Sequence, residues 1–231
     1  YDIDDFEVPE SSEEYLKTIP KTASLTVRAK KEQVNLDKQL AKKIKRAYYA
    51  TTSFMDAQIG RVLDKLQETG LDKNTIVVFT SDHGYHLGEQ GHWQKQTLFE
   101  NSTRVPLIIA GPGIKKYKTI NNLVELVDLY PTIMDLVQFK SPQFLSGKSF
   151  LPLLKNSEVA IRESALSELQ VNRDKGVAQG YSIKTNRYRL NQWEYQGLKQ
   201  YELYDHFNDN SELNNLAEFE DFQKVRDSLI T

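Results

Sequence analysis

The 231-residue chain is 39% hydrophobic and 27% charged, with a formal net charge of −2. That balance describes an ordinary globular chain, long enough for one large domain or two small ones, and gives no electrostatic reason to expect nucleic acid or an anionic membrane as partner. No apolar run approaches the roughly 20 residues of a spanning helix, the acidic start YDIDDFEVPESSEEY has no apolar signal core, and the lack of cysteine excludes disulfides, thiolate metal sites and cysteine nucleophiles within these residues.

From Tyr1 to about Lys31 periodicity is weak and charge is dense, which predicts a surface-hugging segment with little regular structure. Leu36 to about Thr69 carries the strongest helical pattern: Leu40, Ile44, Tyr48, Met55, Ile59, Val62 and Leu66 recur near a 3.6-residue period. At 1.5 Å per residue the helix reaches about 45 Å. Its stripe is expected to pack on a sheet and its charged faces to be solvated. Gly70 suits its C-terminal cap.

Thr75–Thr80 is a short β-branched and aromatic run, the pattern of a strand buried on both faces of a parallel sheet. Val105–Ala110 is a second such run, stopped by Gly111-Pro112-Gly113. Val124–Val137 reads as helical, with Pro131 marking a new start or a kink. From about Asn156 the character changes. Glu163–Gln170, Gly180–Thr185, Tyr188–Glu194 and Tyr201–Tyr204 are closely spaced strand-like runs, and Phe219–Ile230 closes as an amphipathic helix. The spacing predicts an antiparallel sheet, and the boundary divides the chain into 1–155 and 156–231.

Three of the four histidines fall within ten positions directly after Thr80, in SDHGYHLGEQGHWQK. Open α/β sheets bind ligands beyond the carboxyl ends of their strands. Asp82 and His83 there can offer an oxygen and a nitrogen to one metal ion, and Lys95 offers a compact cation for an anionic oxygen group. Each has a plainer alternative: a turn or capping carboxylate for Asp82, backbone-bonded loop histidines for His86 and His92, and packing for Trp93.

The run SDHGYHLGEQGHWQK, followed by FENSTRVPLIIAGPG, resembles the C-terminal half of type I sulfatases of the alkaline phosphatase superfamily, most closely iduronate-2-sulfatase-like members. AYYATTSFMDAQIGRVLDKL resembles the family's long helix, LVELVDLYPTIMDL its next helix, and GYSIKTNRYRL with ELYDHFNDNSELNNLAE its small C-terminal subdomain, so the likeness covers nearly everything from about Asp37. The resemblance implies an α/β fold: part of an alkaline-phosphatase-like sulfatase sheet with flanking helices, plus a small C-terminal antiparallel sheet packed by a helix. It implies that Asp82 and His83 bind calcium, that His83 also lines the catalytic site, and that Lys95, in its G-E-x-G-x-W-x-K setting, contacts the sulfate and serves catalysis. His86 and His92 are expected to help select a sulfated carbohydrate.

The family's nucleophile is a formylglycine made from Cys or Ser in a C/S-x-P-x-R motif, and this sequence contains no such motif. Its early paired aspartates have no convincing counterpart either. The expectation is therefore the C-terminal portion of a sulfatase whose N-terminal half is its partner, inactive alone, with no nucleic-acid or membrane partner and a periplasmic or extracellular location. The competing readings are a zinc phosphodiesterase or phosphatase of the same superfamily, against which Lys95 speaks, and a non-catalytic remnant or binding module.

Overall fold

The computed structural model describes residues 1–9, 13–23, 36–115, 118–173 and 176–230. They form two compact units, Tyr1–Pro112 and Gly113–Thr231. The change of character near Asn156 falls inside the second unit, ahead of its sheet. Part of the N-terminal segment, residues 10–12 and 24–35, lies outside the described residues.

The first unit is dominated by one helix. Asp37 caps it by accepting from the backbone N–H groups of Gln39 and Leu40, each at 3.0 Å. After the six-residue helix α1 (Glu13–Thr18), this helix, α2, runs Lys38–Glu68 and gives way at Gly70, whose φ of 72° suits a residue without Cβ. The N-terminal residues lie along it: Tyr1 and Phe6 pack edge-on to Tyr49, and Lys45 Nζ donates to the Glu7 carbonyl at 2.8 Å. That segment is more ordered than expected, since it carries α1 and a 3-10 turn at Ile3–Asp5. The apolar stripe of α2 does not pack on a sheet as expected. Only Ala41 is buried, and Leu40, Ile44, Phe54, Met55 and Val62 are exposed; the β-structure of this unit amounts to two two-stranded sheets among the described residues.

One of these sheets is formed by β1 (Val77–Thr80) and β4 (Leu107–Ala110), separated by the small hairpin β2 (His86–Leu87) with β3 (Trp93–Gln94) and the helical turn α3 (Glu100–Thr103). β1 and β4 pair antiparallel, Val77 opposite Ala110 and Thr80 opposite Leu107, not in the parallel arrangement the sequence predicts. An unbroken apolar run reports burial and carries no information on strand direction. Gly84 ties the end of β1 to α3. Its N–H donates to the Ser102 carbonyl at 2.8 Å, and a Cβ there would run into the carbonyl oxygens of Asn101 and Arg104.

In the second unit a 3-10 turn at Leu126–Asp128 feeds α4 (Leu129–Leu136), with Pro131 buried in the first turn, where its missing N–H costs nothing. Asp128 is the knot of this region. It accepts from the Glu125 and Lys148 N–H groups and from both sides of the Arg162 guanidinium, while Arg162 also pairs with Glu125 at 2.9 Å. Burial pushes the Asp128 carboxyl upward, but the Arg162 and backbone hydrogen bonds outweigh it and hold the group below its ordinary value. Helix α5 (Leu151–Lys155) then leads to a four-stranded antiparallel meander: β5 (Ser164–Arg173), β6 (Gly176–Thr185), β7 (Tyr188–Tyr195) and β8 (Leu198–Asp205). Gln196 and Gly197, both at positive φ, make the two-residue turn between the last two strands.

One face of the meander carries Leu190 and Leu203, buried with Ala217. Val225 and Leu229 of the closing helix α6 (Gln223–Ile230) pack there. The other face is polar and buried. Trp193 Nε1 and the Tyr204 hydroxyl donate to Glu202 at 2.7 and 2.8 Å, and Arg189 pairs with Glu212 at 2.7 Å. Burial pushes the Glu202 carboxyl up, outweighing those hydrogen bonds. At the edge, Asp205 accepts from Arg187 Nε and Nη2 at 3.0 and 2.7 Å.

Two stability measurements follow. Gly84→Ala is expected to cost about 1–3 kcal/mol in chemical denaturation. Gly60→Ala, in open space on α2, is expected to hold or raise stability, since alanine favours helix by about 0.5–1 kcal/mol. For pH, the Arg187 hydrogen bonds lower the Asp205 carboxyl from 3.8 to about 2. A folded value below the unfolded one means that its stabilising effect is complete above about pH 4 and drains away as pH falls towards 2. The unmodified chain should therefore lose stability across that window more steeply than Asp205→Asn, measured by acid titration of unfolding.

Candidate functional site

Three side chains meet beyond the end of β1. Ser81 Oγ donates to the His83 carbonyl at 2.8 Å and closes the turn. Within that turn Asp82 Oδ1 accepts from the His83 N–H at 3.1 Å, and the Asp82 side chain is 82% exposed. The His83 ring is held at both nitrogens. Nδ1 lies 2.8 Å from the Gly84 carbonyl, which can only accept, so Nδ1 carries the proton. Nε2 therefore presents a lone pair, which accepts from Lys95 Nζ at 2.7 Å. Asp82 Oδ2 stands 3.6 Å from the same Nε2. Asp82, His83 and Lys95, singled out from the sequence, are thus brought together across a twelve-residue loop.

The loop returns Lys95 to the strand end by a series of tight bends. His86 pairs with Gln94 and Leu87 with Trp93 in the β2–β3 hairpin. Gly88, Gln90, Gly91 and Gln94 all take positive φ, at 109°, 49°, 72° and 73°. Two of these are glutamines, so the bend stores backbone strain beside the site. Glu89 turns back to accept from the Leu87 N–H at 2.6 Å, a loop-bracing contact.

His86 and His92 do not face a cleft. They are 0% and 2% exposed, and their rings sit 5.2 Å apart against Phe99. His86 Nε2 bonds the Thr97 hydroxyl at 2.8 Å, which in turn donates to Ser102 Oγ at 2.8 Å. Burial, and then His86 beside it, hold the His92 imidazole well below its ordinary value, so it is neutral. The expectation that these two select the sugar is corrected: they form the packed floor of the loop. Apolar neighbours Leu87, Leu98 and Phe99 were the available signal. Trp93 lies half-buried beside Gly88, in keeping with a packing role.

Two contributors escaped the sequence reading. Ser81 shapes the turn. Tyr85 stacks on Tyr48 of α2 with ring centroids 4.9 Å apart, anchoring the loop to the long helix. Burial, and then Tyr48, push the Tyr85 phenol up.

The donor set suits a divalent cation in part. An exposed carboxylate and a neutral imidazole lone pair at 3.6 Å fit one ion, since two bonds of about 2.4 Å bridge that gap. Among the described residues no third histidine or carboxylate joins them. Two donors are at most a third of the six or more ligands that a calcium ion takes, so Asp82 and His83 could supply only part of such a set.

Comparison with known proteins gives consistent matches. The sulfatase family profile matches residues 7–139, and that of the N-sulphoglucosamine sulphohydrolase C-terminal region matches residues 88–231. Arylsulfatase K of Canis lupus familiaris is 37% identical over 187 residues, covering 78% of this chain and 35% of the relative. A solved 2-O GAG sulfatase aligns with a TM-score of 0.85 and 26% identity over 97% of this chain and 51% of its own. A structure in complex with its substrate D-glucosamine-2-N,6-O-disulfate aligns with a TM-score of 0.77 and 30% identity, over 93% and 47%. The chain spans about a third of the length of that curated relative and about half of those solved structures. Since the first profile covers more than half of the residues and takes in the whole loop from Asp82 to Lys95, the chain belongs to the sulfatase family.

Proposed function

We propose that this chain carries the cation- and anion-binding half of a sulfatase site that hydrolyses sulfate esters of sulfated sugars. The observation that carries the reading is the convergence of the Lys95 ammonium, the His83 imidazole and the Asp82 carboxylate at one strand end. Hydrolysis converts R–O–SO3⁻ and water to R–OH, SO4²⁻ and a proton. Negative charge builds on the sulfate oxygens and the leaving oxygen as the S–O bond breaks. Lys95, exposed and compact, is suited to bind those sulfate oxygens and to stabilise the charge more strongly in the transition state than in the ground state. Asp82 and His83 would hold calcium, which supplies a second positive charge when bound. The Gly84 carbonyl fixes the His83 tautomer, so that Nε2 faces the site as an acceptor.

The nucleophile is assigned elsewhere. These residues hold no cysteine and no S-x-P-x-R run, so on this reading a formylglycine nucleophile would come from an N-terminal portion of the same protein. We infer that this portion also covers the open apolar flank of α2 and the half-exposed β1–β4 pair. The likeness to a 2-O GAG sulfatase supports the narrower reading of an iduronate-2-sulfatase-like enzyme, with a 2-O-sulfated uronate as substrate. A periplasmic or extracellular setting belongs to the same reading.

The isolated chain should show no turnover of an aryl sulfate or a sulfated disaccharide, and measurable turnover would overturn the division of the site. In the complete protein, Lys95→Ala is expected to lower kcat/KM by about 100-fold or more, with Asp82→Asn causing a comparable loss and release of calcium on metal analysis. An unimpaired Lys95→Ala enzyme, or zinc in place of calcium, would refute the assignment.

A further inference from the structure

We propose that the Thr97 hydroxyl is the clamp that registers the Lys95 arm of the loop against the turn carrying His83, which makes Thr97 a positioning residue for the ammonium. The inference rests on the anion-binding role proposed for Lys95 and names what holds that lysine in place. The Lys95 side chain is long and exposed, with rotamer freedom to lose, so the backbone beneath it decides where Nζ can reach.

The chain on either side of Lys95 is tied to one residue, His86. Before it, Gln94 stands opposite His86 in the β2–β3 hairpin. After it, the Thr97 N–H donates to the Lys95 carbonyl at 2.9 Å, and the Thr97 hydroxyl meets His86 Nε2 at 2.8 Å. That hydroxyl has one proton, which it donates to Ser102 Oγ at 2.8 Å. Towards His86 it can therefore only accept, so His86 carries its proton on Nε2. It also accepts from the Phe99 N–H at 3.4 Å, which fills its second lone pair. His86 and His83 thus hold opposite tautomers, since His83 is protonated at Nδ1.

The same hydroxyl reaches the turn at the end of β1. Ser102, which takes the Thr97 proton on its side chain, accepts from the Gly84 N–H with its carbonyl. Gly84 in turn offers its own carbonyl to His83 Nδ1. Thr97 therefore stands where the two arms of the site join: its backbone holds Lys95, and its hydroxyl holds the segment that fixes His83. At 5% exposure the hydroxyl has little access to water, so its removal leaves the His86 Nε2–H and the Ser102 hydroxyl each short of a partner. Valine in its place keeps the shape and loses all three bonds.

The test begins with the unmodified 231-residue chain labelled with 15N, in which long-range correlation of the ring nitrogens at neutral pH should find His86 protonated at Nε2. A proton on His86 Nδ1 alone overturns the clamp, and this readout stands even if a variant fails to fold. Kinetics then use the complete protein and an aryl sulfate. Thr97→Val is expected to lower kcat/KM by about 10-fold or more, and Thr97→Ser to restore most of the loss. In a Lys95→Ala background Thr97→Val should cost nothing further, because the hydroxyl acts through the lysine. An equal loss in both backgrounds marks a merely structural residue and overturns the clamp, as does an unimpaired Thr97→Val enzyme beside an impaired Lys95→Ala enzyme. Full activity of Lys95→Ala is a separate failure, that of the role proposed for the lysine itself.

Discussion

Everything at the site depends on one close approach, that of Gly84 to the backbone of α3. With its N–H on the Ser102 carbonyl and no side chain to hold the two segments apart, the chain leaving β1 turns at once. That turn leaves Asp82 and His83 projecting from the strand end. It also makes the Gly84 carbonyl available to the His83 ring, and so decides which nitrogen is free. The same loop interior, built from His86, His92, Thr97 and Phe99, is dense enough to carry four positive-φ residues without losing its shape.

The site is electrostatically lean. One exposed carboxylate, one neutral imidazole and one ammonium share a small volume, with no buried charge to stabilise. This contrasts with the second unit, where Asp128 and Arg162 or Glu212 and Arg189 are interior pairs whose partners are mutually required. Breaking such pairs is costly because it strands a charge. Rearranging the exposed trio is cheap. The interior ion pairs and the exposed trio are thus separated by burial.

Much of this was legible in the residues, and the failures have physical reasons. The long helix was readable because Leu40, Ile44, Tyr48 and Met55 keep its period, and the meander because turn residues punctuate closely spaced strand-like runs. The gathering of Asp82, His83 and Lys95 was readable because a short loop with closely spaced glycines follows the strand end and can bring Lys95 back to it. The direction of β4 was not, since LIIA reads the same both ways. His86 and His92 misled because imidazole is at home in water and in a core alike. The polar face bearing Arg189, Glu202 and Glu212 was invisible because charged residues alternating along strands read as a solvent side, and only tertiary packing reveals that they satisfy one another.

The left-handed backbone at Gln94 carries a consequence for how such loops diversify. An L-residue at φ 73° is held there against its own preference, by about 1–2 kcal/mol. It is also the residue immediately before Lys95, so its conformation aims the lysine. Exchange between glutamine and glycine at this one position would relax or restore the bend and swing the ammonium, leaving every ligand in place. The reach of the Lys95 ammonium can in this way be retuned through a backbone angle and not through new chemistry.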